Sequence, residues 1–132
     1  MINILLVEDN HKVRELLGGL LQAQKNLTVA GKAENGLGAL RLLQNGLQAD
    51  VVVADLNMHD MDGIELTEQL MAGYPNLKVI ILTMHAKAAF LKRALAAGAN
   101  GYLLKNGDMN ELYQAIAQVY AGQTVIGASV RQ

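Results

Sequence analysis

The chain has no cysteine and a single proline, Pro75. The first absence excludes a disulfide framework, a thiolate metal site and a cysteine nucleophile. It also agrees with a reducing compartment. Pro75 falls between the third helical stretch and the fourth strand-like run, where it interrupts neither. An excess of one charge is lacking too: 11 Lys and Arg against 12 Asp and Glu give a formal net charge of −1. Nothing in that balance favours nucleic acid or an anionic surface. Long apolar runs are also missing. The first, Ile4 to Val7, is cut short by Glu8 and Asp9 and is too short for a signal peptide. No run approaches a membrane span. These absences lead to the expectation of a cytoplasmic chain with no membrane partner and no nucleic-acid contact by this domain alone.

What remains is an ordinary globule of 132 residues, 52% hydrophobic and 17% charged. That length suits one domain and suffices to bury about two-thirds of the unfolded surface. Strand-like runs occur five times, at Ile2–Val7, Leu27–Ala33, Val51–Ala54, Leu77–Leu82 and Gly101–Leu104. Several are continuously apolar, as strands covered on both faces should be. Helical patterns lie between them. The clearest places Val13, Leu16, Leu17, Leu20 and Leu21 on one stripe. The last repeats Met109, Leu112, Tyr113, Ile116, Val119 and Tyr120 at similar spacing. Gly46, Gly98 and Gly122 each follow a helical stretch, where a residue of positive φ ends a helix.

Five βα units predict an α/β fold: a flavodoxin-like (βα)5 doubly wound parallel sheet of strand order 2-1-3-4-5. Residues 1–122 make one domain. Residues 123–132 lack a helical period and read as an extension, or as the start of a linker to an effector domain absent from this chain. Two features fit less well. Gly18 and Gly19 lie inside the first helix, opposite the apolar stripe, each costing about 1 kcal/mol relative to Ala. They are either a tolerated weak spot or a close helix contact in a dimer. The fourth helix, Lys87 to Ala97, is mostly alanine, with Phe90, Leu91 and Leu95 as its large anchors. It should be helical by propensity and lightly anchored.

In an open α/β sheet, ligands sit beyond the carboxyl ends of the strands, where strand order reverses. Glu8 and Asp9 end the first run, Asp55 follows the third, Thr83 the fourth and Lys105 the fifth. Three carboxylates crowded together repel one another and call for a cation. Mg²⁺ suits them, since it takes one or two carboxylates, keeps waters and bridges to phosphate oxygens. A carboxylate can itself be the nucleophile and form an acyl phosphate. Lys105 suits one phosphoryl oxygen as a point charge, and the Thr83 hydroxyl suits another. Each residue taken singly has an ordinary explanation: Asp55 a turn former, Glu8 and Asp9 helix-dipole partners, Thr83 an N-cap, Lys105 a solvated loop residue. Five matching strand ends are hard to assign to caps.

VEDN at 7–10, DLNMHDMDG at 55–63, LTMHA at 82–86 and GYLLK at 101–105 resemble the receiver domains of two-component response regulators. The resemblance spans residues 2 to about 121 and is most similar to the NarL/FixJ subfamily, whose members usually carry a C-terminal helix-turn-helix. It implies that Asp55 is the phosphoacceptor. Mg²⁺ ligands would be Asp9, Asp55 and the backbone carbonyl of Asn57, with Glu8 acting through water. Thr83 would be the switch hydroxyl, Lys105 the site lysine and Tyr102 the switch aromatic, its ring turning from solvent inward on phosphorylation. A sensor histidine kinase and a second receiver are the implied partners, transcription the implied output of a full-length protein. His59 stands where many receivers have proline, so the loop after Asp55 should be less rigid. Asn106 stands where many have a cis-proline.

Weaker signals carry less. Gly36-Leu37-Gly38 lacks the third glycine of a dinucleotide fingerprint and follows the wrong strand. His11, His59 and His85 have no zinc-type spacing, though the last two flank the expected site. Two rival functions stand beside the receiver. A haloacid-dehalogenase-type phosphohydrolase also uses a nucleophilic Asp with Mg²⁺, but wants an acid where Asn57 stands. An interaction module independent of phosphorylation usually lacks part of the acidic pair, Asp or Lys, and none is lost here. A receiver is not an enzyme beyond catalysing its own phosphorylation and dephosphorylation.

Overall fold

The structure is a computed structural model that describes residues 1–85, 87–128 and 130. Ala86 of the LTMHA stretch, and Ser129, Arg131 and Gln132 of the expected extension, lie outside them. The elements alternate as β1 (Ile2–Val7), α1 (His11–Gln22), β2 (Leu27–Ala33), α2 (Gly36–Gln44), β3 (Val51–Asp55), α3 (Gly63–Gly73), β4 (Lys78–Thr83), α4 (Ala88–Ala97), β5 (Gly101–Leu104), α5 (Met109–Tyr120) and β6 (Val125–Ile126). All strand pairs are parallel, in the order β2-β1-β3-β4-β5-β6. The flavodoxin-like expectation holds, with one strand added at the β5 edge.

Strand alternation divides the core. From β1, Leu5 and Val7 face one layer with Leu43 of α2, Ile64, Leu66 and Leu70 of α3, and Ala94 of α4. Ile2, Ile4 and Leu6 face the other, with Leu17 and Leu21 of α1 and Leu112, Ile116 and Val119 of α5. Both faces of β1, β3 and β4 are therefore buried, which is why these runs read as continuously apolar. Polar caps start α1, α2 and α3: Asn10 accepts from Val13 N, Asn35 from Gly38 N, and Asp62 forms a capping box with Glu65. Gly46, Gly98 and Gly122 all have φ near +100° and stop them as expected.

The first helix corrects the expected stripe. Leu16 is 63% exposed and Leu20 36%, whereas Leu17, Gly18 and Leu21 are buried. The buried arc is narrower than the run of leucines, because α1 covers only the β1–β2 side of the sheet. Gly18 is thus not opposite the buried face. A Cβ there would lie 3.4 Å from the Lys32 stem on β2, while Gly19 faces open space.

Part of the segment after α5 packs against the sheet. Gly127 N donates to Tyr102 O (2.9 Å), Ile126 pairs with Tyr102, and Val130 is buried in the α3–α4 layer. The Glu111 carboxylate accepts from Ala128 N at 3.3 Å and ties the segment to α5.

Candidate functional site

Parallel register brings the chemistry together. Val7 pairs with Ala54, Asp55 with Leu82 and Thr83 with Leu104. The carboxyl ends of β1, β3, β4 and β5 are therefore nearly level, and the residues that follow them converge. Glu8, Asp9 and Asp55 each offer a carboxylate oxygen within 4.8 Å of the others. Glu8 is 1% exposed and Asp55 6%. Lys105 reaches both, 2.5 Å from Glu8 Oε1 and 2.9 Å from Asp55 Oδ2. Asn10 N also donates to Glu8 (3.0 Å), and Arg14 donates to the Glu8 carbonyl (2.8 Å).

The electrostatics follow from burial and from these contacts. Burial pushes the Glu8 carboxyl above its ordinary pKa; Lys105 and Asn10 N oppose this, and Asp55 adds to the rise. Burial alone would lower the pKa of Lys105, but the Glu8 and Asp55 carboxylates outweigh it and hold the ammonium above its ordinary value. Lys105 is thus a firmly charged, nearly buried group and not a solvated loop residue. One ammonium against three carboxylates leaves two negative charges uncompensated when all ionise. An all-oxygen donor set with that excess fits a hard divalent cation.

Thr83 and Tyr102 lie on the α4 side. The Thr83 hydroxyl donates to His85 O and accepts from His85 N, each at 3.1 Å, closing the turn after β4. The expected solvent-facing start for Tyr102 does not hold. Its ring is fully buried, and among the described residues its hydroxyl has no hydrogen-bond partner. Burial pushes that hydroxyl's pKa up, with the Thr83 side chain opposing. Asn57 sits past the strand end, its N donating to Asp55 Oδ1 over a long 3.4 Å. His59 does flank the cluster, its Nε2 3.5 Å from Asp9 Oδ2.

The family model for the response regulator receiver domain matches residues 4–117. The chain belongs to this family. The response regulator GacA of Pseudomonas aeruginosa is 36% identical over 132 residues, covering 100% of this chain and 61% of GacA. This receiver therefore spans less than two thirds of that relative's length. A LuxR-family two-component response regulator from Aurantimonas sp. SI85-9A1 superposes with a TM-score of 0.92 at 34% identity, covering 98% of this chain and 92% of that one. The isolated receiver domain of RcsB from Salmonella enterica, in the presence of the phosphomimetic BeF3⁻, gives 0.88 at 28% identity over 98% and 96%. These relatives support the NarL/FixJ-like resemblance.

The receiver's sequence did not disclose what holds its loops. Asp62 is the α3 cap, but Asp60 bonds Gly36 N (3.2 Å) and Leu37 N (2.9 Å) at the start of α2. No spacing rule pairs residues 23 and 24 positions apart. A cavity of about 460 Å³ opens at the other end of the sheet, lined by Asp50, Tyr74 and Lys78, and contains none of the site residues. No helix among the described residues is long and apolar enough to cross a membrane.

Proposed function

We propose that this receiver takes a phosphoryl group onto Asp55, from a sensor histidine kinase or a small phosphodonor, with Mg²⁺. The observation that carries this reading is the convergence of Glu8, Asp9, Asp55 and Lys105 at the carboxyl ends of β1, β3 and β5. Asp9, Asp55 and the Asn57 carbonyl would hold the cation, with Glu8 acting through water. The cation supplies charge neutralisation for the incoming phosphoryl oxygens. The Asp55 carboxylate attacks phosphorus; an acyl phosphate O–P bond forms as the donor's bond to phosphorus breaks, and the electron pair leaves with the donor. Little else is asked of the protein than position and compensating charge. Lys105, already on Asp55 Oδ2, follows onto a phosphoryl oxygen. Intact mass with a small phosphodonor and Mg²⁺ tests the assignment: wild type should gain one phosphoryl group and Asp55→Asn none. Full incorporation by Asp55→Asn would overturn it.

Mg²⁺ at tenfold its dissociation constant should stabilise the fold by about 1.4 kcal/mol if only the folded state binds. A melting temperature indifferent to Mg²⁺ would count against the site. Lys105→Ala should impair the coupling of phosphorylation to shape more than metal binding.

The switch reading starts from the contacts present. A phosphoryl oxygen offers the Thr83 hydroxyl a charge-assisted hydrogen bond in exchange for the His85 carbonyl. Movement of Thr83 alters the surroundings of the buried Tyr102 ring, and α4 with β5 then presents a changed surface to a second receiver or an effector domain. The two arrangements differ by only a few kcal/mol, since a ligand shifts a population by no more than its differential affinity. Hydrogen exchange with and without a beryllofluoride mimic should show changes across residues 83–105. Changes confined to 55–63 would sink the switch. Residues 1–122, with β6 paired to β5, form the switching unit, the chain beyond leads toward an effector domain, and transcription in the cytoplasm is the output that the NarL/FixJ resemblance supports.

A further inference from the structure

The loop from Leu56 to Asp62 carries the Asn57 carbonyl and lacks the proline that many receivers have at position 59. Its two ends are firmly held. Leu56 N donates to Leu82 O at 2.8 Å and Gly63 N to Leu56 O at 2.8 Å. The capping box of Asp62 and Glu65 fixes the entry to α3. Between these ends, Asn57 N reaches Asp55 Oδ1 only at 3.4 Å and the His59 side chain is 94% exposed. What holds the middle comes from α2, which packs in the same layer as α3. Both carboxylate oxygens of Asp60 accept from α2, Oδ1 from Gly36 N at 3.2 Å and Oδ2 from Leu37 N at 2.9 Å. Beside this contact the Met61 side chain lies against Gly36 so closely that a Cβ there would come within 2.5 Å of Met61 Cγ. The first turn of α2 is therefore a socket for two consecutive loop residues. The N–H groups of Gly36 and Leu37 receive Asp60, and the missing side chain of Gly36 admits Met61.

We propose that Asp60 is a positioning residue for the phosphorylation site, clamping the Asn57-bearing loop to the start of α2 in place of the rigidity that proline at position 59 would supply. The inference rests on the reading of Asn57 O as a cation ligand. A carboxylate suits the task because it receives two N–H groups at once, and the helix N-terminus favours its charge. The backbone donors outweigh the effect of burial and hold the Asp60 carboxyl below its ordinary pKa, so the clamp stays ionised near neutral pH. Releasing it frees the Asn57 carbonyl to wander, and ordering it again must then be drawn from cation binding.

Calorimetric titration with Mg²⁺, and phosphorylation by a small phosphodonor across a Mg²⁺ series, test the clamp on Asp60→Ala. The Mg²⁺ dissociation constant should rise about threefold to tenfold, the range that loss of such hydrogen bonds can reach. The phosphorylation plateau at saturating Mg²⁺ should match wild type. Asp60→Asn, which keeps one accepting oxygen, should fall between the two and guards against misfolding of the alanine variant. Adding His59→Pro to Asp60→Ala should restore Mg²⁺ affinity, because it supplies rigidity by another route. An unchanged dissociation constant with a lowered melting temperature in chelator would reduce Asp60 to a helix cap and overturn the proposal. So would failure of His59→Pro to rescue in a folded double variant. If the wild type itself neither binds Mg²⁺ nor forms an acyl phosphate, the function reading falls, and the clamp with it.

Discussion

Helices α3 and α4 lie side by side against the same face of the sheet and are held in opposite ways. In α3, the Asp62–Glu65 capping box closes the N-terminus, and Gly63, Ile64, Leu66, Thr67 and Leu70 are buried. The Thr67 hydroxyl donates to Gly63 O (2.7 Å), and a Cβ at Gly63 would meet Asp55 O at 2.7 Å. This helix is seated directly on the backbone of the proposed phosphoacceptor. In α4, Lys87 makes no side-chain cap, Ala94 alone is buried, and Phe90 and Leu91 are only partly so. Few buried contacts and an uncapped end are the physical content of a segment that opens at low cost. For the switch proposed above, the contrast assigns each helix a separate task. The rigid one keeps Asp55 and its loop in register, while the loosely held one can answer a small change at Thr83.

The strongest challenge to that contrast is a pair of truncations. Leu70→Ala, in the buried face of α3, should cost about 2–5 kcal/mol in urea unfolding. Leu95→Ala in α4, at a side chain 37% exposed, should cost under about 1 kcal/mol. Equal losses would show that α4 is as firmly seated as α3 and remove the asymmetry.

A smaller effect sharpens the α4 side. The Tyr102 hydroxyl is buried without a partner among the described residues. Tyr102→Phe should therefore raise stability by about 1 kcal/mol, because it removes a desolvated polar group. The same variant should change the alkaline limb. A tyrosine whose folded pKa is raised above the ordinary value of 10.0 contributes stability that is present below pH 10.0 and lost as pH rises through the folded value. Lys105, also raised, adds a second loss in the alkaline direction. Tyr102→Phe should make the loss shallower without abolishing it. A destabilised variant with an unchanged alkaline limb would mean that the hydroxyl is satisfied.

The smallest effect concerns the uncapped end. Lys87→Ser should add an N-cap worth about 1 kcal/mol and lose the Lys87 ammonium's contact with the Phe90 ring, 5.7 Å to its centroid, worth about 0.5–1 kcal/mol. Global stability should shift by no more than about half a kcal/mol, by the difference of those two effects. Amide exchange within α4 should nonetheless slow. Unchanged exchange would mean that the missing cap is not what loosens the helix.

Much of this was legible beforehand because the signals were local. Continuous apolar runs such as Val51–Ala54 betray strands buried on both faces. Asp55, Thr83 and Lys105 stand out because each follows such a run. The light anchoring of α4 was visible in its alanines. Leu16 and Leu20 misled, since periodicity marks an apolar stripe without saying how much of it a neighbour covers. The sixth strand was missed because Val125 and Ile126 are too few to carry a period, and their pairing depends on the free edge of β5.

By itself, then, the sequence determined the alternation of elements, the helix stops at Gly46, Gly98 and Gly122, and the kinds of groups at each strand end. These depend on residues within one or two turns of each other, where propensity and patterning act directly. Only the tertiary structure decided that Lys105 is paired and nearly buried, that the Tyr102 ring lies inside, and that Asp60 grips α2. Those outcomes join residues 23 to 97 positions apart. Register and packing set such distances, and no local pattern encodes them.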